Sequence, residues 1–465
     1  VTVNGNAGAD KITVGSGADK INGGADNDTI SLAVDSLTSD DVIGGDLGTD
    51  TLAFNAEGAA LLDADFGQVT GVEKITAAYA LTANESFTLG SKSDTAGITT
   101  IDLSGTTGTG VFTVAAGDND NNLVFTGSDT TTVDYTVTTG DGNDTFTTGN
   151  NADSVNAFTG GAGTQTYNIN SAGANTISDF KGSDVLVTDA NGAVTATVTA
   201  DYVATAATIN RSAMGSAIIN ANSGFDINMS AATSTINGFT LSAATNAAAS
   251  TIIGSDQADT ISGSTAADSL VGGAGNDSIV SHAGTDNMTG GTGADDFFNI
   301  GVGGEAVALD TISDFTVAQT DQIGGWEVSA FTAIGATLTD LAVTDDAVEA
   351  TDEVQVFANA GAEGFDLDAA EANDNFLQLT TTFANVTAVQ ARVRTFLSGD
   401  ETAATEGFLL GWDDGTDSYV SLVDFAAVDT DGQAIASATV TNIAKLSGVA
   451  ANETIVEANF FAFIA

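Results

Sequence analysis

The chain has 465 residues, with 62 acidic and nine basic side chains, so its formal net charge is −53. This charge excludes nucleic acids and anionic membranes as attractive partners, because both are themselves negatively charged. Hydrophobic residues make up 42% of the chain and cysteine is absent, so a core is possible but disulfides are not.

The chain opens with a repeat of nine residues. Asp10, Asp19 and Asp28 follow one another at this interval, and an isoleucine lies two positions after each of them. A period of nine fits neither a helix, with about 3.6 residues per turn, nor a simple alternating strand. Residues 1–48 are therefore predicted to form an N-terminal β-roll, although several glycine positions of the repeat hold other residues.

The long middle region, residues 49–248, is rich in Thr, Ala, Asn, Gly and Val. Short β-type runs recur there, separated by Gly, Asn, Asp and Ser turns. This composition predicts a β-solenoid-like region with degenerate repeats that continues from the first roll. The alanine-rich stretches 201–216 and 243–250 are candidates for an added short helix.

Isolated copies of the repeat occur within this middle region. Asp50 and Asp144 occupy the carboxylate position in two of them, whereas Gln165 and Asn121 occupy it in two others. The aspartate copies are candidate cation sites. For each isolated copy, a turn that holds no ion is the alternative.

The repeat returns in its most regular form in residues 249–300, which are predicted to form a second roll. Five aspartates are spaced nine residues apart and each precedes an apolar residue by two positions: Asp259, Asp268, Asp277, Asp286 and Asp295. Two copies match the pattern Gly-Gly-x-Gly-x-Asp-x-apolar-x throughout. Their glycines include Gly272 and Gly275 in one copy, and Gly290 and Gly293 in the other.

The residue types of the repeat predict a flattened parallel roll. Glycine permits the left-handed backbone of a tight turn and leaves carbonyl oxygens accessible. Two nonapeptides would make one coil, with stacked strands about 4.8 Å apart. Asp259, Asp277 and Asp295 would then form one column of carboxylates, and Asp268 and Asp286 the opposite column.

Such columns require cations. Two carboxylates near 5 Å apart repel each other by about 3 kcal/mol at an effective dielectric near 20. Hard oxygen donors at this spacing suit Ca²⁺, which accepts about six to eight oxygens, better than Mg²⁺, which demands stricter octahedral geometry. Several calcium ions are therefore the predicted cofactor, and the chain is expected to fold only around them.

Residues 301–465 have a different character and are predicted to form a C-terminal β-rich module. From Asn385 to Leu397, apolar residues lie on one helical face, and Asn385 is a plausible N-cap. Strands are predicted at Gly407 to Trp412, Ser418 to Phe425 and Ala438 to Leu446. The whole chain is thus predicted to be all-β, with one short helix in this module.

The two repeat blocks resemble the RTX (repeats-in-toxin) family of secreted proteins of Gram-negative bacteria. The run Asp310-Thr311-Ile312-Ser313-Asp314-Phe315, followed by Asp321, is similar to the segment that closes many RTX rolls. Residues 68–75 resemble segments of RTX-type bacterial surface-layer proteins. Asn6, Val14, Asp26, Ser255, Ser264 and His282 depart from the family motif.

The resemblance implies a parallel β-roll that holds calcium between successive turns, by aspartate side chains and glycine carbonyls. The implied side-chain ligands are Asp10, Asp19, Asp28, Asp259, Asp268, Asp277, Asp286 and Asp295. It also implies type I secretion, with an uncleaved signal in the C-terminal module. Extracellular calcium modules bind in the range of about 10⁻⁴–10⁻³ M, so such a chain would stay unfolded in the cytosol and fold outside the cell.

No catalytic residues are predicted. The single histidine excludes a His-Glu-x-x-His zinc site, and no Gly-x-Ser-x-Gly motif is present. No apolar run reaches about 18 residues, so nothing is expected to span a membrane.

The predicted function is that of a calcium-dependent, self-assembling structural protein of the bacterial cell surface, in a surface layer, filament or matrix. Its expected partners are other copies of itself, cell-surface polysaccharide and the type I secretion apparatus. Two alternatives remain open. One is a fragment of an RTX adhesin that binds a surface or a polysaccharide, and the other is the C-terminal part of an RTX-type secreted hydrolase.

Overall fold

A computed structural model describes most of the chain and divides it into two compact units. The described residues are 1–298 apart from 59, 130, 131, 151, 152, 214 and 235, together with 309–324, 355–357, 376–396, 407–425 and 438–447. Unit 1 comprises Val1–Asn220 and Ala231–Thr240, and unit 2 comprises Ala221–Ser230 and Leu241–Ala465. The four-part division predicted from the sequence stays a prediction.

Unit 1 consists of short parallel strands stacked into ladders. The first ladder contains Thr2–Ala7, Lys20–Ala25, Val42–Leu47 and Val69–Thr70. The second contains Lys11–Thr13, Thr29–Leu32, Thr51–Phe54, Lys74–Ala77, Thr100–Asp102, Val124–Thr126, Thr145–Thr147, Thr166–Ile169 and Val185–Thr188. The third contains Glu85–Thr88, Thr107–Ala116, Thr132–Thr139, Asn156–Thr159, Asn175–Gly182, Val194–Val203 and Ala217–Asn220, and Ala80–Leu81 also pairs with Thr107–Ala116.

One inward-facing residue from each strand of the second ladder forms a continuous column in the core. The column contains Ile12, Ile30, Leu52, Ile75, Ile101, Phe125, Phe146, Tyr167 and Leu186. All nine side chains are buried. Because in-register parallel strands place equivalent positions above one another, the apolar residue two positions after the repeat aspartate lies in the core, as predicted.

Aromatic rings form a continuous series in the second half of the unit 1 core. The rings of Phe146 and Tyr167 are stacked, with centroids 4.9 Å apart and an interplanar angle of 7°. Phe158 contacts both of these rings, and the rings of Phe180 and Tyr202 continue the series with centroids 4.3 Å apart. Aromatic pairs at such distances stabilise a core beyond the area that they bury.

Two α-helices occur among the described residues, α1 (Ser91–Ala96) and α2 (Val386–Phe396). The first was not predicted. The carboxylate of Asp63 accepts hydrogen bonds from the N–H groups of Gly90 and Ser93 at its start, and Gly97 ends it with φ 104°. Short 3₁₀ turns lie at Val34–Ser36, Asp63–Phe66 and Val317–Gln319.

The prediction of short helices in the alanine-rich stretches is wrong for their described residues. Residues 201–203 end the strand Val194–Val203, and residues 243–250 form turns. In the first stretch the alternating residues Tyr202 and Ala204 are buried, and so are Thr208, Asn210 and Ser212, a two-residue spacing that an extended backbone produces. Isolated helices of this length are not stable enough to compete with that burial.

Unit 2 begins with two ladders of parallel strands, and each coil between Thr251 and Phe298 uses two nonapeptides, as predicted. One ladder contains Ile227–Asn228, Thr251–Ile253, Ser269–Ala274, Asn287–Thr292 and Asp310–Ile312. The other contains Thr260–Ser262, Ser278–Val280, Asp296–Phe298 and Gln322–Gly324. The strand Thr240–Ser242 lies between Ile227–Asn228 and Thr251–Ile253 in the chain.

The C-terminal part of unit 2 is a smaller β module. Gln355–Phe357, Phe376–Thr382 and Gly407–Asp413 pair in parallel, whereas Asp417–Phe425 and Ala438–Ser447 continue the sheet antiparallel. The predicted helix and the three predicted strands are confirmed, and the side-chain oxygen of Asn385 accepts the N–H of Ala388 as an N-cap, 3.0 Å away.

Each unit is thus built on an all-β parallel solenoid, and unit 2 ends in a mainly-β C-terminal module. The end of the chain, where the secretion signal was predicted, lies outside the described residues. No helix in the described part of the chain has the length and apolar character needed to cross a membrane.

Loss of one core ring should destabilise unit 1 measurably. We expect Phe158→Ala to lower its free energy of unfolding by about 3–5 kcal/mol, because the ring is buried and its removal leaves a cavity. Denaturant unfolding followed by circular dichroism measures the loss. The control is Val155→Ala, because Val155 is 53% exposed and its truncation should change stability by less than about 0.5 kcal/mol. Equal losses in the two variants would contradict this account of the core.

Candidate cation sites

The repeat aspartates of unit 2 form two hydrogen-bonded columns. The N–H of Asp259 donates to Oδ1 of Asp277 over 2.8 Å, and the N–H of Asp277 donates to Oδ1 of Asp295 over 2.9 Å. On the other side, the N–H of Asp268 donates to Oδ1 of Asp286 over 2.8 Å. The two predicted columns are confirmed, and one oxygen of each carboxylate links successive coils.

Both columns extend further than the sequence indicated. The N–H of Asp286 donates to Oδ1 of Asp310 over 2.8 Å, and the N–H of Asp295 donates to Oδ1 of Asp321 over 3.2 Å. These partners lie 24 and 26 residues apart, so the nine-residue period does not reveal them. The available signal was the isoleucine two positions after each of them.

The second carboxylate oxygen has a different environment. Oδ2 of Asp277, Asp286 and Asp295 is buried and has no hydrogen-bond partner. Burial, followed by the charge of neighbouring aspartates, raises the pKa of Asp277 and Asp286 to about 8 and that of Asp295 to about 6. A buried anionic oxygen without a partner is costly, so each position calls for a proton or a cation.

Glycine keeps space open beside these oxygens. A Cβ atom on Gly272 would lie 2.2 Å from Oδ2 of Asp277 and 2.5 Å from the carbonyl oxygen of Gly290. The carboxylate oxygen and a carbonyl oxygen of the next coil therefore border the same small space. A Cβ on Gly290 would similarly lie 2.4 Å from Oδ2 of Asp295.

The other glycines of the motif shape the turn. Gly275 and Gly293 have φ values of 119° and 146°, a left-handed backbone that side chains with a Cβ disfavour. Asn6, Asp26 and His282 stand where the motif has glycine, and they adopt φ values of 74°, 79° and 68°. The departures at these three positions therefore preserve the turn.

The oxygen atoms that could act as metal ligands fit a hard cation such as calcium. Each position offers one carboxylate oxygen and backbone carbonyl oxygens, which are calcium ligands. In the described part of the chain, no three acidic or histidine side chains converge as a metal-binding group. A site here would consequently be built mainly from carbonyl oxygens, with one aspartate supplying the charge from each coil.

Asp259 and Asp268 lie in the same columns but have other neighbours. Oδ2 of Asp259 accepts hydrogen bonds from the N–H and Oγ–H of Ser255, at 2.6 and 2.9 Å. Ser264 donates to Oδ2 of Asp268 at the same two distances. These serines replace glycines of the motif and supply donors to the second oxygen. The assignment of the two aspartates as metal ligands stays a prediction.

Unit 1 has the same arrangement in its first coils. The N–H of Asp10 donates to Oδ1 of Asp28, and the N–H of Asp28 donates to Oδ1 of Asp50, both over 2.7 Å. Oδ2 of all three aspartates is buried without a partner. Asp50 thus joins the first block, and its own N–H donates to Glu73 over 2.8 Å. Glu73 was missed, because the spacing has changed to 23 residues.

The opposite side of the first block is less regular. The N–H of Asp19 donates to Oδ1 of Asp41 over 2.8 Å, and the carboxylate of Asp19 contacts the amino group of Val1. Oδ2 of Asp41 accepts hydrogen bonds from the N–H and hydroxyl of Thr38. Asp41 was not predicted as a member of this column.

Asp144 retains the features of the repeat in the middle of unit 1. Its Oδ1 accepts the N–H of Leu123 over 2.8 Å, whereas its Oδ2 is buried without a partner, and burial raises its pKa. The expectation that Asn121 holds the carboxylate position of the previous coil is wrong, because the strand register places Leu123 there. The side-chain amide of Asn121 instead donates to the carbonyls of Asp94 and Ile98.

The single histidine contributes to a turn. His282 occupies the left-handed position held by Gly273 and Gly291 in neighbouring copies. Its Nε2 forms a hydrogen bond with Oγ of Ser262, 2.8 Å away on the adjacent coil.

Comparison with known families agrees with this geometry. A family model for the RTX calcium-binding nonapeptide repeat (4 copies) matches residues 2–31, 245–279 and 262–297. A search of curated proteins found no match. The matched residues cover the two blocks in which the aspartate columns have unpartnered oxygens beside open glycines. The chain therefore contains RTX calcium-binding nonapeptide repeats, and these are folded as parallel β-rolls in both units.

Proposed function

We propose that this protein is a secreted structural subunit of the bacterial cell surface, which folds around calcium and assembles into a surface layer, filament or matrix. The observation that carries the calcium-dependent part is the series of buried aspartate oxygens without a hydrogen-bond partner, several of which lie beside the space that a glycine leaves open. The proposed ligands with such an oxygen are Asp10, Asp28, Asp50, Asp144, Asp277, Asp286 and Asp295. Asp19, Asp259 and Asp268 complete the proposed set.

Calcium then acts as the switch for folding. Without it, the columns bring buried anionic oxygens together in a chain whose net charge is already −53. With it, each coil gains a positive charge at the place where its carboxylate lacks a partner. A chain that waits for extracellular calcium would leave the cell unfolded, which suits export by a type I secretion apparatus.

Assembly follows from the same electrostatics. Exposed aspartates such as Asp40, Asp118 and Asp256 make the surface acidic, so two copies repel each other in the absence of cations. Calcium shared between acidic surfaces would allow copies, or an anionic cell-surface polysaccharide, to associate. The proposal assigns no catalytic activity, and it gives His282 a structural role in its turn.

Imaging of the secreted protein tests the assembly directly. We expect ordered sheets or filaments in electron micrographs with millimolar calcium, and their loss when excess EGTA is added. Magnesium at the same concentration is the control, because its stricter octahedral geometry should not replace calcium. A monomer that stays dispersed in calcium but binds glycans would favour the adhesin alternative, and a catalytic domain upstream in the same gene would favour the hydrolase alternative.

Removal of one proposed ligand should weaken calcium binding in unit 2. We expect Asp277→Asn to raise the calcium concentration needed for half-maximal stabilisation by about tenfold or more, because the variant lacks the anionic oxygen. In EGTA the same variant should be more stable than the wild type, because a buried unpaired charge has been removed. Thermal unfolding during a calcium titration measures both effects.

The matched control is Asp256→Asn, which removes one exposed negative charge from the same roll. It should leave the calcium titration unchanged. If the titrations of the two variants coincide, Asp277 is not a ligand.

The calcium-free protein should become more stable as the pH falls. Asp277 and Asp286 have a folded-state pKa of about 8, well above the ordinary aspartate value, because of burial and neighbouring carboxylates. The folded state therefore holds protons that the unfolded chain has released. This contribution to stability is complete below a pH of about 4 and is lost as the pH rises through about 8.

Melting temperatures measured in calcium-free buffer between pH values of about 5 and 8 check this prediction. The buffer is best depleted with a chelating resin, since soluble chelators lose calcium affinity in acid. In the presence of calcium, protons compete with the ion, so its apparent affinity should rise with pH. A calcium-free stability that increases from pH 5 to pH 8 would contradict the pKa assignments.

A further inference from the structure

Amide side chains replace carboxylates in the later coils of unit 1. Gln165 lies in the same column as Asp144 and Asp184, and its side chain is fully buried. Its Oε1 accepts the N–H of Asp144 over 2.8 Å, and its own N–H donates to Oδ1 of Asp184 over 2.8 Å. Gln165 therefore makes the same coil-to-coil hydrogen bonds as a repeat aspartate.

The second polar atom of the Gln165 side chain, Nε2, is a hydrogen-bond donor, whereas the second polar atom of an aspartate carboxylate is an oxygen. Its Nε2 donates to the carbonyl oxygens of Gly142 and Ala162, at 3.1 and 3.3 Å. At Asp277, an anionic oxygen stands close to the carbonyl of Gly290 instead, and both atoms are acceptors. At Gln165 an amide NH₂ group thus donates to carbonyl oxygens, whereas a carboxylate oxygen in its position would need a cation between itself and those carbonyls.

The third ladder of unit 1 contains a similar arrangement. Asn175 is 2% exposed, and its Nδ2 donates to the carbonyl oxygens of Gly173 and Ala193 at 3.0 and 2.7 Å. Its Oδ1 accepts a hydrogen bond from Nδ2 of Asn156 over 2.8 Å. Oδ1 of Asn156 in turn accepts the N–H of Tyr135 over 3.1 Å. These amides connect three successive coils.

The buried acid of this part of the chain has partners on both oxygens. Oδ1 of Asp184 accepts the N–H of Gln165, and its Oδ2 accepts the N–H of Lys181 over 3.1 Å. Among the described residues from 145 to 250, no buried carboxylate oxygen lacks a hydrogen-bond partner. The aromatic core from Phe146 to Tyr202 lies in the same coils and adds packing to them.

We propose that residues 156–203, here called the amide segment, hold their fold without calcium, whereas the aspartate coils require it. In this segment the NH₂ group of Gln165 substitutes for a bound cation, and the Asn156–Asn175 pair closes the neighbouring ladder. The amide segment is a calcium-independent support that persists when the rolls open. This inference extends the proposed function and does not depend on surface assembly.

Hydrogen exchange of the full-length protein, read by mass spectrometry, tests the proposal. In excess EGTA, amides of the amide segment should keep the protection that they have in millimolar calcium. In contrast, the protection of the amides in Ser269–Ala274 and Ser278–Val280 should fall by roughly a hundredfold or more in EGTA. The inference is overturned if the amide segment exchanges in EGTA as fast as these two strands. If the two strands stay protected in EGTA, that outcome instead counts against calcium-dependent folding of the rolls.

A single isosteric substitution provides a second test of the proposal. Gln165→Glu exchanges the NH₂ group for an oxygen that faces the carbonyls of Gly142 and Ala162, and so should create a calcium requirement. We expect the amide segment of this variant to lose protection in EGTA and to regain it in calcium. Asn191→Asp is the control, because it adds one charge at an exposed position of the same segment.

The two arms have distinct outcomes. A Gln165→Glu protein as well protected in EGTA as the Asn191→Asp control would overturn the role of the Gln165 amide. If the amides of the Gln165→Glu variant exchange rapidly in both EGTA and calcium, a cation cannot replace the NH₂ group. The proposed equivalence of the NH₂ group and a bound cation is then overturned. The wild-type measurement alone decides whether the amide segment is independent of calcium.

Discussion

Each aspartate of the columns uses its two carboxylate oxygens differently, and the rest of the structure depends on this difference. One oxygen accepts the N–H of the preceding coil and thereby fixes the register in which the strands stack. The other oxygen is buried and lies close to backbone carbonyl oxygens. Coils of this kind are stable only if the second oxygen meets a hydrogen-bond donor or a cation, because a buried acceptor without a partner is costly.

The column residues meet this requirement in three ways. Asp277 has an open space suited to a cation, Asp259 receives the N–H and hydroxyl of Ser255, and Gln165 replaces the oxygen with a donor of its own. The cores of these coils differ as well. Asp277 lies in coils that pack on aliphatic residues such as Ile279, whereas the coils around Gln165 pack on stacked aromatic rings.

Sequence periodicity predicted those parts of the structure whose register is local. The nine-residue interval placed Asp259 to Asp295 in their columns, because two equal repeats make one coil. It missed Asp310 and Asp321, which enter the columns after longer connections. It also misassigned Asn121, because only the pairing of the adjacent strands shows that Leu123 lies in that position. Periodicity could not predict helix α1, because the carboxylate that accepts the N–H groups at its start belongs to Asp63, in an earlier coil.

The interval between successive column members is not constant: it is 18 residues from Asp10 to Asp28, 22 from Asp28 to Asp50 and 23 from Asp50 to Glu73. The strand pairing nevertheless continues unbroken, and added residues are taken up at corners, as in the 3₁₀ turn Val34–Ser36. Such a scaffold can lengthen by insertion without repacking its interior. Its corners are therefore the natural places at which related proteins would diverge, and at which foreign peptides could be grafted for display.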